Sequence, residues 1–387
     1  MRQGDYYKNM TDFIYQELAW GPTYKNKDGS HIKDTDNNSE RYIKESLKKM
    51  KISLKNLKGM KIFNIGTGRE SRFFSKYGAE VTHLDIGENT VKNLKLWAKK
   101  NKKKIYSSTS DIEKTDIGQN KFDLIFLAGI YQHRKKPAYA LIKFLNSLKK
   151  NGLMYMGFYR SGEFKYFIVD AIRFLLNKKQ LYEIRRLNSI LFTLGEVNHY
   201  QSYRVMDDFF VPKKHNFHPR DIIHDIKLLG GKVFYFDKDL REYSHKGSEY
   251  FSIGGDRIYI KKISNKLFSK RDLKKKLKTV EGKNQIFDIQ YRHKEIIQNI
   301  KLIKLIKKKY KENKIGSLDI SSLCIGLYQF TRPMIFDQSE YYQKTKKIDR
   351  HRVINDYLKN FLKNFDNSKK DLKKFNKKLV NLGLKQT

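Results

Sequence analysis

The chain has 387 residues, with 82 Lys and Arg against 41 Asp and Glu, for a formal net charge of +41. That length accommodates two domains, or one large domain with an appendage. No apolar run is long enough to cross a bilayer and the first residues carry no signal-peptide core. Cys324 is the one cysteine, which excludes an internal disulfide or a cysteine zinc site and fits a cytoplasmic protein.

In chain order, residues 1–56 read as a helical cover. Tyr6 to Trp20 places aromatic residues at helical spacing, Asn26–Ser39 is polar and expected to be mobile, and Glu40–Met50 reads as a helix. A short apolar run from Lys61 to Ile65 then ends in Gly66-Thr67-Gly68, a helix-like segment follows, and a second apolar run ends in Asp85. A third strand, Lys104–Ser108, leads into Asp111, and a fourth, Phe122–Ala128, reads as fully buried. An amphipathic helix over Pro137–Lys149 precedes a fifth strand, Gly152–Phe158. Strands alternating with helices at this spacing imply βαβ units and a parallel sheet. In such sheets nucleotide-like ligands bind at the carboxyl edge. Glycines there let backbone N–H groups approach a ligand, and Asp85 can accept both hydroxyls of a ribose.

An insertion at about 160–229 follows. Its middle, Phe164–Leu194, is helical by period, and a helix over Pro219–Leu229 is ended by Gly230-Gly231. Val233–Phe236 and Asp256–Lys261 are expected to close the sheet as antiparallel strands. From Ser264 lysine clusters thicken, and residues 264–387 carry a net charge of roughly +20. Helical patterns run over 292–311, with Ile296, Ile300, Ile303 and Ile306 in a stripe, and over 351–365. The nearly uncharged Leu318–Pro333 between them could pack on the main domain. The expected organisation is therefore a cover (1–56), a sheet domain (57–263) and a Lys-rich helical extension (264–387).

Phe63-Asn-Ile-Gly-Thr-Gly68, Asp85, Asp111 and Phe122-Asp-Leu-Ile-Phe-Leu-Ala-Gly129 resemble the successive motifs of class I S-adenosylmethionine-dependent methyltransferases, over roughly residues 40–262. The resemblance implies an α/β, Rossmann-like doubly wound, mostly parallel seven-stranded sheet with an antiparallel last strand, here followed by the helical extension. It implies S-adenosylmethionine as cofactor, with Gly66 and Gly68 at its methionine part, Asp85 at the ribose and Asp111 at the adenine amino group. Asn64, Thr67, Ile86, Ile112 and Ala128 complete the implied cofactor set. Two positions depart from the pattern: Asn64 stands where the family usually has an acid, and the third glycine is missing near Glu70 and Ser71. A nicotinamide-binding fold competes for the same glycines, but Glu70 would then sit where a pyrophosphate must lie, and a carboxylate opposes an anion at a helix N-terminus.

Methyl transfer needs an in-line approach, which proximity and orientation largely supply, and a base if the acceptor is a hydroxyl. His133, just past the fourth strand, and Asp208 and His215 in the insertion are the candidate catalytic residues. His133 could equally cap the following helix or pack under its loop. Tyr131, Gln132, Tyr159 and Arg160 share the carboxyl edge. His199, Asp207, Asp208, His215 and His218 match no compact metal motif, and no metal site is assigned. Ala128-Gly-Ile-Tyr131 lacks the Asn/Asp-Pro-Pro-aromatic tetrad of enzymes that methylate DNA amino groups, and Cys324 has no Pro-Cys context. What is left is a small-molecule, lipid-precursor or saccharide (glycan-like) acceptor. The charge fits an anionic surface or RNA meeting the basic extension; it equally fits a composition rich in Lys, Asn and Ile. A non-catalytic polyanion-binding protein and an RNA methyltransferase are the alternative readings.

Overall fold

A computed structural model describes residues 34–161, 164–177, 209, 211, 213–237, 255–269, 271, 276–279, 294–335 and 347–367. The chain divides into two compact units, 1–167 with 185–290 and 168–184 with 291–387.

The first unit is built on seven strands: β1 (Lys61–Ile65), β2 (Glu80–Asp85), β3 (Ile105–Thr109), β4 (Phe122–Leu127), β5 (Leu148–Tyr159), β6 (Gly231–Asp237) and β7 (Gly255–Lys262). Their order in the sheet is β3-β2-β1-β4-β5-β7-β6, parallel throughout except for β7, which runs antiparallel to both β5 and β6. The sheet is thus doubly wound, and the order reverses between β1 and β4, the place at whose carboxyl edge such sheets bind ligands. Helices α1 (Asp34–Lys49), α2 (Arg69–Lys76), α3 (Glu88–Lys100), α4 (Pro137–Ser147) and α6 (Pro219–Leu228) belong to this unit, and α5 (Phe164–Leu175) carries the division between the two.

Alternation along the strands sorts the core into two layers. Phe63, Ile65, Ile125, Leu127, Met154, Met156, Ile258 and Ile260 face α4 and α6, with the Phe63 ring 5.2 Å from Phe122 and 6.2 Å from Phe144. Ile62, Leu124, Phe126, Tyr155 and Tyr259 face α1 and α2, and Phe126 stacks on Tyr155 at 4.2 Å. Each such fully buried aromatic or aliphatic side chain contributes about 1.5–3 kcal/mol. Period-two burial on both faces is what a parallel sheet covered by helices requires.

One expectation needs correction. Asp34–Ser39 is the first part of α1 rather than a mobile segment; polar and acidic residues suit the start of a helix, where they complement its dipole. Residues 1–33, and Phe164–Leu194 beyond Asn177, lie outside the described residues.

The described residues between 264 and 279 fold with the sheet. Asn146 holds Phe268 from both sides of its carboxamide, donating to Phe268 O at 2.8 Å and accepting from Phe268 N at 3.1 Å. The buried Asp225 carboxylate accepts from Lys278 N, Thr279 N and Thr279 Oγ1 at 2.6–2.8 Å, and Thr279 Oγ1 meets Tyr131 OH at 2.9 Å. The strap thereby supplies three donors to a buried carboxylate, which also meets His224 Nδ1 at 3.1 Å.

The second unit contains α7 (Lys294–Lys311), α8 (Ser317–Ile335) and α9 (Lys347–Asn367). The expected isoleucine stripe of α7 is buried, and α7 runs along α9, with Asn299 Nδ2 donating to His351 O and Asn355 Nδ2 to Asn299 Oδ1. Helices α8 and α9 approach closely at Gly326, where an added Cβ would lie 1.8 Å from Tyr357 Oη. Tyr357 Oη in turn donates to Leu323 O. Among the described residues, no helix is long and apolar enough to cross a membrane.

Candidate active site at the carboxyl edge of the sheet

Three parallel strands deliver the residues of the cofactor side. After β1 the chain turns through Gly66 (φ +122°) and Gly68 (φ +83°), conformations that a Cβ disfavours, and Gly68 opens α2. β1 and β2 pair with Ile65 beside Leu84, and Gly66 N donates to Leu84 O, so Asp85 follows directly beside the glycine turn. β2 and β3 pair with Asp85 beside Thr109, which sets Asp111 at the next position along the edge. Gly66, Gly68, Asp85 and Asp111 therefore come together.

The turn rests on a buried polar chain. Asn64 Nδ2 donates to Phe126 O at 2.9 Å, Ser71 Oγ donates to Asn64 Oδ1 at 2.8 Å, and His83 Nδ1 lies 3.0 Å from Ser71 Oγ. Since the Ser71 hydroxyl proton is used on Asn64, His83 Nδ1 carries the hydrogen that reaches Ser71. Burial pushes the His83 imidazole down to about 3, so it stays neutral. This corrects the expected ligand-facing role of Asn64: its side chain is fully buried and both ends of its carboxamide serve the protein, tying β1 to β4 and α2. The absence of an acid there is matched by Ser71 and His83, which supply neutral partners.

Glu70 is corrected as well. Its buried carboxylate accepts from Tyr42 Oη at 2.6 Å beneath α1, away from the place where a pyrophosphate would lie. The electrostatic objection to a dinucleotide therefore weakens.

The Asp85 carboxylate is partly exposed and accepts from Gly87 N at 2.6 Å. Burial raises its pKa to about 7, against the opposing effects of the Gly87 N–H, the Arg134 guanidinium and the Ile86 N–H. Asp111 is held from two directions. Its own Oδ1 accepts from Glu113 N at 3.0 Å, and Lys143 Nζ gathers the carbonyls of Ile112, Glu113 and Thr115 at 2.8–2.9 Å. Arg134 Nη1 lies 3.8 Å from Asp111 Oδ1. Ile86 is partly exposed at the edge and Ala128 is partly buried, whereas Thr67 Oγ1 accepts from Arg69 Nε. Ile112 is corrected: its side chain is 1% exposed within the core and only its main chain reaches the edge.

Past β4 and β5 the edge is made of side chains knitted to a loop. His133 Nδ1 is 3.0 Å from Lys213 O and His215 Nε2 is 2.9 Å from Arg134 O, so both of these nitrogens are protonated donors. His215 N donates to Gln132 O and Phe217 N to Tyr159 O, which fixes residues 213–217 across the ends of both strands. The His133 ring meets the edge of Tyr159 at 5.6 Å, Tyr159 stacks on Tyr166 at 4.1 Å, and Lys214 Nζ lies 4.8 Å from the Tyr166 centroid. Burial holds the His133 imidazole at about 3, neutral and a weak base. His133 and His215 are thus brought together, each anchored to the main chain through one ring nitrogen. His218 caps α6, its Nδ1 accepting from Arg220 N. His199, Asp207 and Asp208 lie outside the described residues.

Sequence reasoning missed Arg134 and Ile130. Arg134 sits in a run, Arg-Lys-Lys136, that reads as a solvated turn, yet it is 7% exposed and its Nε has no hydrogen-bond partner. Ile130 Cδ1 lies 3.5 Å from where a Gly66 Cβ would be, so it roofs the glycine turn. Only the proximity of both to the fourth strand could have hinted at this.

The model of a family described as methyltransferase domain matches residues 63–156, which span β1 to most of β5. A ubiquinone biosynthesis O-methyltransferase from Pelagibacter ubique (strain HTCC1062) is 33% identical over 121 residues, 30% of this chain and 50% of that protein. The chain thus spans half the length of that curated relative. Among solved structures, a magnesium protoporphyrin IX methyltransferase from Synechocystis PCC 6803 with bound SAH is 13% identical at a TM-score of 0.41, over 67% of this chain and 96% of that one. An S-adenosylmethionine dependent methyltransferase from Mesorhizobium loti is 12% identical at 0.39, over 56% and 96%. Residues 63–156 of this chain thus match a methyltransferase-domain family.

Proposed function

We propose that the protein transfers a methyl group from S-adenosylmethionine to a small-molecule, lipid-precursor or saccharide acceptor. The observation that carries this reading is the Gly66–Gly68 bend set beside Asp85, with Asp111 one strand further, at the reversal of strand order. The residues present fit the cofactor. The bend offers main-chain N–H groups and room free of Cβ atoms, and Asp85 offers a partly exposed carboxylate. When bound, the cofactor supplies an electrophilic methyl on a sulfonium.

What the chain contributes is position and charge. Asp85 accepts the ribose hydroxyls and, when ionised, favours a cationic ligand over a neutral one. Asp111, steadied through Lys143, accepts from the adenine amino group. Ile130 closes the bend from above, and the 213–217 segment with Tyr159 and His133 forms the side on which an acceptor is held. With His133 a weak base, an acceptor whose hydroxyl is already acidic needs least help, and orientation supplies most of the rate. The name of the Pelagibacter relative, an O-methyltransferase, supports an oxygen acceptor. The lysine excess of residues 264–387 is proposed to serve an anionic partner.

Titration calorimetry with the full chain tests this. Micromolar binding of S-adenosylmethionine, abolished by Asp85→Ala in a folded variant, is the expected result. No binding by the folded wild type would move the protein to the non-catalytic reading. Mass spectrometry of the purified protein for a copurifying ligand addresses the acceptor.

A further inference from the structure

Helix α7 carries seven lysines against Glu295 alone. Four of them, Lys304, Lys307, Lys308 and Lys311, recur at intervals of three, one and three residues and so lie along one helical stripe. With Phe174 of α5 and Glu312, they line a concavity of about 470 Å³ within the second unit. The adjoining face of α7 is buried in the core through Ile296, Ile300, Ile303 and Ile306, while Lys304, Lys308 and Lys311 are exposed and Lys307 is half-buried beside it.

The stripe is electrostatically costly to build. Like charges three and four residues apart oppose helix formation. Among the described residues the acid in the concavity is Glu312, 3.9 Å from Lys308 but 2.9 Å from Lys314, outside the groove. Lys307 is held in place: its Nζ donates to Leu175 O, at the end of α5, which fixes one ammonium in the wall. Burial lowers its pKa, and the neighbouring Lys311 lowers it further, so the cluster gains from any anion that enters. Lysines scattered over convex surfaces are solvated singly, whereas these converge on one volume with an aromatic wall.

We propose that this groove binds a phosphate-bearing ligand, a phosphate ester whose anionic oxygens bridge Lys304, Lys307, Lys308 and Lys311. Lysine ammonium groups are suited to phosphate as point charges, and a concave site concentrates their field. This goes beyond methyl transfer and does not depend on it.

The test uses the full chain at low salt with two probes, tripolyphosphate by calorimetry and vesicles of phosphatidylglycerol and phosphatidylcholine by flotation. The variant Lys304→Gln/Lys308→Gln/Lys311→Gln leaves Lys307 on Leu175 O. A matched control, Lys92→Gln/Lys95→Gln/Lys99→Gln, removes the same charge from exposed positions of α3. Lys311→Gln alone serves if the triple groove variant fails to fold. We expect the triple groove variant to weaken binding about tenfold, as three exposed charge contacts would, and the control to change it less than twofold. Loss confined to the vesicle arm assigns the phosphate to a lipid headgroup; loss in the soluble arm assigns it to a free ester. Equal loss in groove and control variants, or no binding of either probe, would overturn the proposal.

Discussion

Along β1, β2 and β3 the working edge of the sheet is main chain and carboxylate, whereas past β4 and β5 the same edge is a set of buried side chains fastened to residues 213–217. The first region presents groups whose geometry follows from strand register: a positive-φ turn after β1, and acids after β2 and β3. The second presents His133, Gln132, Arg134 and His215, whose polar atoms are turned largely to each other's main chain. The difference teaches where chemistry resides in this molecule. Its cofactor side is built to meet a ligand of fixed structure, while the acceptor side is a rigid support whose selectivity depends on how that support is held.

The support is where the largest effect is expected. Asp225→Ala leaves Lys278 N, Thr279 N and the Thr279–Tyr131 pair without their common acceptor, and should cost about 3 kcal/mol in urea unfolding. A cost within a few tenths would mean that the 276–279 strap does not stabilise the acceptor side. Next, Asp85→Ala should weaken S-adenosylmethionine binding about 100-fold by removing charge-assisted hydrogen bonds, with no fall in the midpoint of unfolding, since folding disfavours ionisation of this carboxyl. If both variants lost stability equally, the contrast between ligand-directed and support residues would fail.

A smaller, graded effect follows from pH. The Asp85 carboxyl has a folded pKa of about 7, above the usual 3.8. The folded protein therefore binds a proton between those values that the unfolded chain has released, so this group costs stability progressively as pH rises through that window. Cofactor binding has the opposite sign. A cationic ligand favours the ionised carboxylate, so affinity should fall up to tenfold per unit as pH drops below about 7, and Asp85→Asn should flatten the profile. Calorimetry from pH 5.5 to 8.5 reads it. The smallest effect belongs to His133→Asn, whose side-chain N–H can replace Nδ1–H toward Lys213 O. Turnover should change less than about threefold with an unaltered pH profile, and loss of the acid-side limb would instead mark His133 as a base.

How much was legible follows the same divide. The parallel strands and the Gly66–Asp85–Asp111 alignment could be read because strand period and punctuation are local, whereas the doubly wound order followed only from the resemblance of the motifs. The isoleucine stripe of α7 was legible for the same reason. The roles of Asn64, Glu70, Ile112, His133 and His215 were not, because a residue type does not announce which way its side chain is spent. Asn64 looks like a weakened ligand group until Ser71 and His83 are seen behind it, and Glu70 looks like a barrier to phosphate until Tyr42 claims it.

The amino-acid order by itself determined the strands, the glycine turn and the acids at the carboxyl edge, since hydrophobic alternation and backbone freedom act over a few residues. Only the tertiary structure decided which polar groups remain for a ligand. Burial, hydrogen-bond partners such as the Asp225–Thr279 lock, and the convergence of four lysines on one groove all arise between segments far apart in the chain, where desolvation and pairing set each group's chemistry.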